Sequence, residues 1–287
     1  MRFGIVIVGV ALVLSACSPA SVDAPDSSTT TQATTTTRAQ SNEICIAGDL
    51  PFGSDGLISA LGGDVGDATS LSAVHWDTSA TCERLTFRFG SESGAPATTL
   101  GPTAVSVIPF AGVVRIMLPA EIARSAVADA VFEGSLVQAA YVFRDESVVA
   151  IDIHAVDGVP ITARAFTTTS PASLVIDVTR ATTDAVPVGV TATPTVVVIN
   201  PTPGPNDYPI AVEGYIAPGM SSLHVQLLIS GEPLVDRSMA LGANTDTWQF
   251  FTSTIDEGPP GTAVLFVGTV DGNGQADTGA RVSLTME

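Results

Sequence analysis

Lysine is absent from this 287-residue chain, and all 11 of its basic residues are Arg. Against 29 Asp and Glu residues, this leaves a formal net charge of −18. No stretch of the chain concentrates positive charge, so electrostatic binding to nucleic acid, polyanionic polymers or anionic lipid headgroups is disfavoured. The acidic excess instead favours partners that are neutral or cationic.

Signatures of common catalytic sites are also missing. The residues His75, His154 and His224 show neither an HExxH pattern nor a paired metal spacing, and no GxSxG, P-loop or dinucleotide-binding motif occurs. Asp152 and His154 alternate onto one strand face, either as an acid–base pair or as part of a solvated outer face. Glycosidase chemistry needs two carboxylates across a cleft, and the sequence does not point to such a pair. We therefore expect no enzyme activity, no catalytic residue, no metal and no cofactor.

Cysteine is scarce, with three residues in the chain. Cys17 follows Leu14-Ser15-Ala16 behind an apolar run from Phe3 to Leu14, which is the order of an export signal. That run is too short to span a bilayer, which needs roughly 20 apolar residues. Its ending resembles the lipobox of bacterial lipoproteins, which implies cleavage after residue 16 and a lipid on Cys17. An ordinary secretory signal that contains a cysteine is the alternative.

Cys45 and Cys82 remain as an even pair in an oxidising compartment. A disulfide between them would close a loop of about 40 residues and contribute roughly 3–4 kcal/mol of stability. Two free thiols or a metal site are the alternatives. The absence of a CxxC motif and of a nearby His cluster makes the metal site the weakest of these.

Composition divides the rest of the chain into four segments. Residues 17–42 are dominated by Thr, Ser, Ala and Pro and are predicted to be a disordered tether. Residues 43–181 and 195–287 are two folded domains with net charges of −9 and −8, counted as 16 acids with 7 Arg and 10 acids with 2 Arg. A Thr-, Val- and Pro-rich linker, 182–194, separates them.

Short β-branched runs between turn residues predict a β-sandwich in the first domain. The run 84–89 alternates between a face with Leu85, Phe87 and Phe89 and a face with Arg84 and Arg88. Arg84 and Arg88 are candidate ligand contacts, because guanidinium groups pair with peptide carboxylates and stack on sugars. One segment, Pro119 to Ala130, is predicted to be helical because Pro suits a first helical turn.

The second domain has seven short strand-like runs in about 90 residues, the pattern of an immunoglobulin-like sandwich. It has no cysteine pair, so its core is predicted to depend on Trp248, Phe250, Leu265 and Phe266. The segment Asp271–Asp277 begins like a calcium loop but lacks the Gly and the bidentate Glu that such a loop requires. A hairpin turn explains it better.

The region from about Leu71 to Arg180 resembles the AMIN-like domains of envelope lipoproteins, relatives of the amidase N-terminal domain. The resemblance is carried by the run from Cys82 to Phe89, by Phe132-Glu133-Gly134 and by the run from Ser173 to Val178. It implies a β-sandwich that helps to localise proteins in the cell envelope, with peptidoglycan as a ligand.

The region from about Val196 to Glu287 resembles the immunoglobulin-like domain of bacterial germination and envelope proteins, often called Gmad2. The resemblance is carried by Ile210 to Tyr215, Trp248-Gln249-Phe250 and Gly261 to Val267. It implies an extracytoplasmic interaction module without catalysis.

Taken with the lipobox, these patterns predict an all-β lipoprotein of two sandwiches on the outer face of a bacterial cytoplasmic membrane. We expect it to bind a cell-wall component, such as peptidoglycan, or an envelope protein. A divergent hydrolase that uses two carboxylates is one alternative. A structural spacer or assembly subunit of a membrane complex is the other.

Overall fold

The computed structural model describes residues 44–45, 50–183, 185–242 and 246–287. The predicted signal peptide (1–16), the lipidation site Cys17 and the tether (17–42) lie outside the described residues. Within the described part of the chain, no helix is long and apolar enough to cross a membrane.

The described residues form 20 strands and no helix, so the all-β prediction is confirmed. Eleven strands build the first sandwich: β1 (Gly56–Leu61), β2 (Ala68–Thr78), β3 (Cys82–Ser91), β4 (Thr103–Ile108), β5 (Val113–Met117), β6 (Arg124–Ser125), β7 (Asp129–Val131), β8 (Val137–Asp145), β9 (Val148–Ala155), β10 (Ile161–Thr168) and β11 (Ser173–Arg180). Nine build the second: β12 (Thr191–Ala192), β13 (Val196–Asn200), β14 (Gly204–Asn206), β15 (Ile210–Ile216), β16 (Ser222–Ile229), β17 (Glu232–Ala240), β18 (Trp248–Ile255), β19 (Gly261–Val270) and β20 (Ala276–Met286).

The first sandwich packs a five-stranded sheet, in the order β10-β11-β3-β2-β6, against β1-β4-β5-β9-β8. We call the former the β3 sheet. Its central strand follows the predicted alternation, because Leu85, Phe87 and Phe89 point into the core and are almost fully buried. They meet Ile151 and Ile153 of β9 in the same cluster. Period-2 burial of this kind is what a two-layer sandwich requires of each strand.

The predicted helix at Pro119 to Ala130 is wrong. Only one turn forms there, where the Ile122 N–H donates to Pro119 O at 3.0 Å. The next backbone groups pair with β2, since the N–H groups of Ala123 and Ala126 donate to the carbonyls of Thr69 and Leu71. These bonds draw the segment into the sheet edge as β6, and Ile122 is fully buried beneath it.

The second sandwich has the strand arrangement of an immunoglobulin-like fold. The order β13-β15-β18 forms one layer and β20-β19-β16-β17 the other, with β14 adding to β20 in parallel. In immunoglobulin terms, β13, β15 and β18 correspond to strands A, B and E. The strands β20, β19 and β16 correspond to G, F and C, and β17 extends that second layer as its fourth strand. Val212, Leu227, Phe251 and Leu265 fill the space between the layers.

The predicted aromatic core of this sandwich is partly wrong. Leu265 lies in the core, but Phe251 takes the place expected for Phe250 because the β18 pleat turns Phe251 inward. Phe250 and Trp248 belong to a separate cluster at the junction of the two sandwiches. Phe266 is buried outside that core, beneath the Arg281 guanidinium at 5.0 Å.

The two sandwiches share one ten-stranded sheet, in the order β1-β4-β5-β9-β8-β18-β15-β13-β12 with β7 also paired to β8. The junction is a short parallel pairing of β8 with β18, in which Trp248 lies opposite Phe143 and Gln249 opposite Arg144. At this junction the sheet faces that point away from the two cores meet each other. There they form a third apolar cluster that includes Phe143, Tyr215 and Trp248.

Candidate binding cleft between the two sandwiches

The two predicted contact residues, Arg84 and Arg88, have different environments. Arg88 is exposed on the outer face of the β3 sheet. The Arg84 guanidinium, by contrast, donates to both carboxylate oxygens of Asp177 at 2.6 and 2.9 Å and lies over the Phe166 ring. Asp177 is fully buried and also binds Arg164. Arg84 is therefore used in an internal ion pair, and the structure does not form the predicted pair of free guanidinium groups.

The N-terminal segment covers part of that same outer face. Cys45 and Cys82 are joined by a disulfide, which holds the start of the described chain against β3. Farther along, Phe52 stacks on the Arg164 guanidinium at 4.7 Å. The sulfurs and Asp177 lie close together, but sulfurs bonded to each other cannot act as thiolate ligands, and Asp177 is already bound by two Arg. The face is a structural contact within the chain.

Asp152 and His154 do share a strand face, but the second sandwich buries it, so the expected solvated outer face is wrong. The Asp152 carboxylate accepts two hydrogen bonds from Arg115 at 2.9 and 2.8 Å. His154 Nε2 is hydrogen-bonded to the Tyr215 hydroxyl of the second sandwich. Burial, with a smaller contribution from Arg115, lowers the pKa of His154 to about 3. His154 is therefore neutral at pH 7.

Aromatic rings surround this histidine across the junction. Tyr215 stacks on Phe143 with ring centroids 5.0 Å apart, and Tyr141 packs edge-on against both His154 and Trp248 at 5.0 and 4.9 Å. The Trp248 indole N–H donates to Asp129 of β7 at 3.0 Å. Stacked and edge-on rings of this kind each contribute about 0.5–1.5 kcal/mol beyond their burial. The junction is thus a packed interface with fixed side chains.

A cleft of about 620 Å³ opens beside this junction. The aromatic residues Phe132 and Tyr141 line it, and its polar lining residues include Gln138, His154, Asp157 and Thr191. The chain segment 190–192, at the start of the second sandwich, also lines it. The volume of the cleft lies in the range of roughly 300–1,000 Å³ that ligand sites occupy, and an apolar lining with a few polar groups is typical of such sites.

The residues that carry the AMIN-like resemblance hold the aromatic wall in place. The buried Glu83 carboxylate accepts the backbone N–H groups of Ser135, Leu136 and Val137 at 2.6–3.1 Å. A side chain at Gly134 would collide with Glu83, so glycine is required for this close approach. Glu83 also accepts the indole N–H of Trp76, whose ring packs against Phe132 at 5.6 Å. These motif residues therefore position Phe132 from beneath.

Two further cavities have different characters. An apolar groove of about 680 Å³ is lined by Phe110, Val186 and Val188, which are each more than half exposed. A shallow depression of about 600 Å³ contains Asp67 and Glu92. The Asp67 carboxylate accepts the N–H groups of Thr98 and Thr99, and these bonds lower its pKa to about 2. Asp67 is thus already bound by the backbone of Thr98 and Thr99.

The segment Asp271–Asp277 forms the hairpin between β19 and β20. The Asp271 carboxylate accepts the backbone N–H groups of Asn273 and Gln275 at 2.8 and 2.9 Å, which lowers its pKa. This is the Asp-stabilised turn chemistry that the hairpin interpretation predicts.

The other two histidines lie apart from the cleft. His75 is exposed on β2, and His224 binds Asp236 at 2.9 Å across β16 and β17. Neither is among the residues that line the cleft with His154.

No family model matches the chain, and no curated protein matches it either.

Three of the cleft residues, Gln138, Tyr141 and Asp157, had no signal in the sequence. Tyr141 reads as one more aromatic in a strand, and Gln138 and Asp157 sit at strand ends where polar residues are ordinary. Pairing of β8 with β18 is what brings them together with the segment 190–192. That pairing joins residues more than 100 positions apart, and no local pattern encodes it.

Proposed function

We propose that this chain is a non-catalytic envelope lipoprotein that binds a cell-wall component, peptidoglycan, in the cleft between its two sandwiches. The lipid on Cys17 would hold it on the outer face of the bacterial cytoplasmic membrane. The tether 17–42 would let the folded body reach roughly 25–30 Å from that surface.

The cleft is the observation that supports binding. Phe132 and Tyr141 contribute aromatic rings to its lining, and Gln138, Thr191 and Asp157 contribute groups that can hydrogen-bond a ligand. Sugars present alternating apolar faces and hydroxyl edges, so a wall of this composition suits a glycan or a short peptide. The walls come from both sandwiches, and the shared sheet fixes their separation before a ligand arrives. A preformed site loses less free energy in ordering itself on binding.

The same geometry favours binding over hydrolysis. Among the described residues that line the cleft, Asp157 is the one carboxylate, whereas glycosidases place two across the scissile bond. Asp152 lies nearby, but it is fully buried and bound to Arg115. A general base works best with a pKa near the operating pH, and the pKa of His154 is far below that.

The test is co-sedimentation with purified, protein-free cell walls. The protein would be the mature chain from residue 17 with Cys17→Ser, so that no lipid contributes. We expect saturable pelleting that Tyr141→Ala and Gln138→Ala each weaken by about tenfold, since each removes about 1–2 kcal/mol of contact.

Arg88→Ala is the matched control on the opposite face of the first sandwich, and we expect it to bind as the parent does. Loss of binding in Arg88→Ala with normal binding in Gln138→Ala would place the site on the β3 sheet. No pelleting of the parent chain would overturn the wall-binding proposal.

A second candidate function is that of an assembly subunit. The observation in its favour is the apolar groove at Phe110, Val186 and Val188, because exposed apolar patches of this kind mark interaction sites. An apolar segment of an envelope protein would occupy it. Site-specific crosslinking from position 186 in intact cells would recover that protein. Recovery that Phe110→Ser does not reduce would argue against the groove.

A further inference from the structure

The cleft has an unusual balance of charge. Within the part of the lining that the structure describes, Asp157 is the one ionic side chain, and the chain contains no Lys to compensate for it. His154 adds no positive charge, since its Nε2 is bound to Tyr215 and the ring is neutral at pH 7. The site therefore presents one negative charge and several hydrogen-bond acceptors.

Asp157 differs from the other carboxylates near the junction. Asp152 is bound to Arg115, and Asp129 accepts the Trp248 indole N–H. Asp157 is exposed, and no ion pair joins it to an Arg within the described part of the chain. Within the described residues, the Gln138 side-chain amide donates a long hydrogen bond of 3.4 Å to it. This carboxylate is thus open to a ligand.

Gly189 keeps the approach to that carboxylate clear. Its φ of +80° is in the region that favours glycine. A Cβ at this position would lie 3.0 Å from Asp157 Oδ1, which is closer than ordinary contact. The backbone of the segment that leads to the second sandwich can therefore pass beside Asp157 without covering it.

The remaining walls suit a cation as well. Phe132 and Tyr141 line the same cleft, and aromatic faces attract ammonium groups by about 0.5–2 kcal/mol. The net charge of −18 adds a long-range field that draws cations toward the protein. An anionic ligand would meet repulsion from Asp157, and none of the described lining residues carries a positive charge to offset it.

We infer that the cleft recognises a free ammonium group on its cell-wall ligand, with Asp157 as the counter-ion and Tyr141 as the ring beside it. This inference rests on the proposed function and names the ligand chemistry of that same site. The ammonium group could belong to a diamino side chain of a wall peptide or to a glucosamine unit without its acetyl group. The shared chemistry is an unacylated primary amine.

The experiment compares native walls with walls whose amines have been acetylated with acetic anhydride. The Cys17→Ser mature chain should bind acetylated walls about tenfold or more weakly, because acetylation removes one charge-assisted hydrogen bond. Asp157→Asn should weaken binding to native walls by a similar factor and should bind both wall preparations alike. Asp145→Asn, another exposed aspartate at the end of β8, is the matched control and should behave as the parent does.

Soluble probes distinguish the two sources of the amine. Competition by a glucosamine trimer, with none by its N-acetylated counterpart, would identify the glycan. Competition by a lysine-containing tripeptide alone would identify the wall peptide.

Two failures remain distinguishable. If native and acetylated walls bind equally and Asp157→Asn has no effect, the ammonium inference is wrong although wall binding stands. If neither preparation pellets the parent chain, the proposed function fails, and the inference fails with it.

Discussion

The two sandwiches of this protein are stabilised in different ways. The first buries the charged residues Glu83, Asp152, Asp177 and Arg164, and a disulfide joins its N-terminal segment to β3. In the second, Val, Leu and Phe side chains form the core, and the ion pair between Arg237 and Asp256 is exposed. Strand number and layering are similar, so architecture alone does not explain the difference.

The difference follows from how much irregular chain is attached to each sandwich. Most of the described connections between strands of the second are five residues or fewer, so strand pairing and the apolar core are enough to fix them. The first must also fix the stretch between β5 and β8, together with the N-terminal segment. Glu83 binds the backbone of the stretch between β5 and β8. The N-terminal segment is held by Phe52, which stacks on Arg164, and Arg164 is in turn bound to Asp177. Buried charge here fixes irregular backbone that strand pairing cannot reach.

The largest expected effect comes from Asp177→Ala. It leaves Arg84 and Arg164 without their counter-ion, and Arg164 is 5% exposed. Removing one partner of a buried pair costs about 3–5 kcal/mol, because the remaining charge is uncompensated. Urea denaturation would measure the loss in the free energy of unfolding. A loss below about 1 kcal/mol would show that water reaches both guanidinium groups and that the comparison between the sandwiches is wrong.

Replacing the disulfide with Cys45→Ser and Cys82→Ser should cost about 3–4 kcal/mol. The bond joins residues 37 positions apart, and the loop it closes restricts the unfolded chain. Hydrogen exchange measured by mass spectrometry would locate the effect. We expect faster exchange in the β3 sheet and little change in β16, β19 and β20. Equal acceleration in both sandwiches would mean that the junction makes them one cooperative unit.

The junction histidine should make stability depend on pH. The folded pKa of His154 is about 3, below the value of 6.5 expected when unfolded, so the unfolded state takes up the proton first. Its contribution is present in full above pH 6.5 and is lost as the pH falls toward 3. Between pH 7 and 4.5 the loss should be about 2–3 kcal/mol.

His154→Gln keeps a partner for the Tyr215 hydroxyl and should flatten this slope, measured by urea denaturation at each pH. Burial raises the pKa of Asp152, so this carboxyl also contributes to the pH dependence, but it does so in the parent and in the variant alike. The difference between the two slopes therefore reports His154 alone. His75→Gln, at an exposed histidine of β2, should retain the full slope. Equal slopes in the parent and His154→Gln would contradict a neutral histidine in the junction.

The smallest expected effect is that of Asp256→Ala in the second sandwich. Its pair with Arg237 spans 2.6 Å, yet the two side chains are 70% and 45% exposed. Exposed ion pairs contribute about 0–1 kcal/mol because water competes for both charges. Urea denaturation beside Asp177→Ala would compare two Arg–Asp pairs of similar length. If Asp256→Ala lowered the free energy of unfolding as much as Asp177→Ala does, burial could not explain why the two ion pairs differ.

Local patterns predicted most of the strands but little of the candidate site. The alternation of Leu85, Phe87 and Phe89 is confirmed, because every second side chain of a half-buried strand points into the core and is therefore apolar. The same logic misjudged Arg84 and His154, which stand at positions that look solvated. Each is covered by a distant part of the chain, Arg84 by Asp177 and His154 by Tyr215. The Pro119 segment failed for the same reason, since its backbone partners are on β2.

The sequence by itself determined the all-β class and the inward faces of the strands, because side-chain alternation and turn residues act over a few positions. Its charge and its lack of Lys also led to the expectation that polyanionic partners are disfavoured, which stays a prediction. Only the tertiary structure decided that β18 pairs with β8, that the faces of two sandwiches bury His154 between them, and that Phe132, Tyr141 and Asp157 border one cleft. These features depend on contacts between residues far apart in the chain. Such contacts form, and stabilise the protein, only when the whole chain folds.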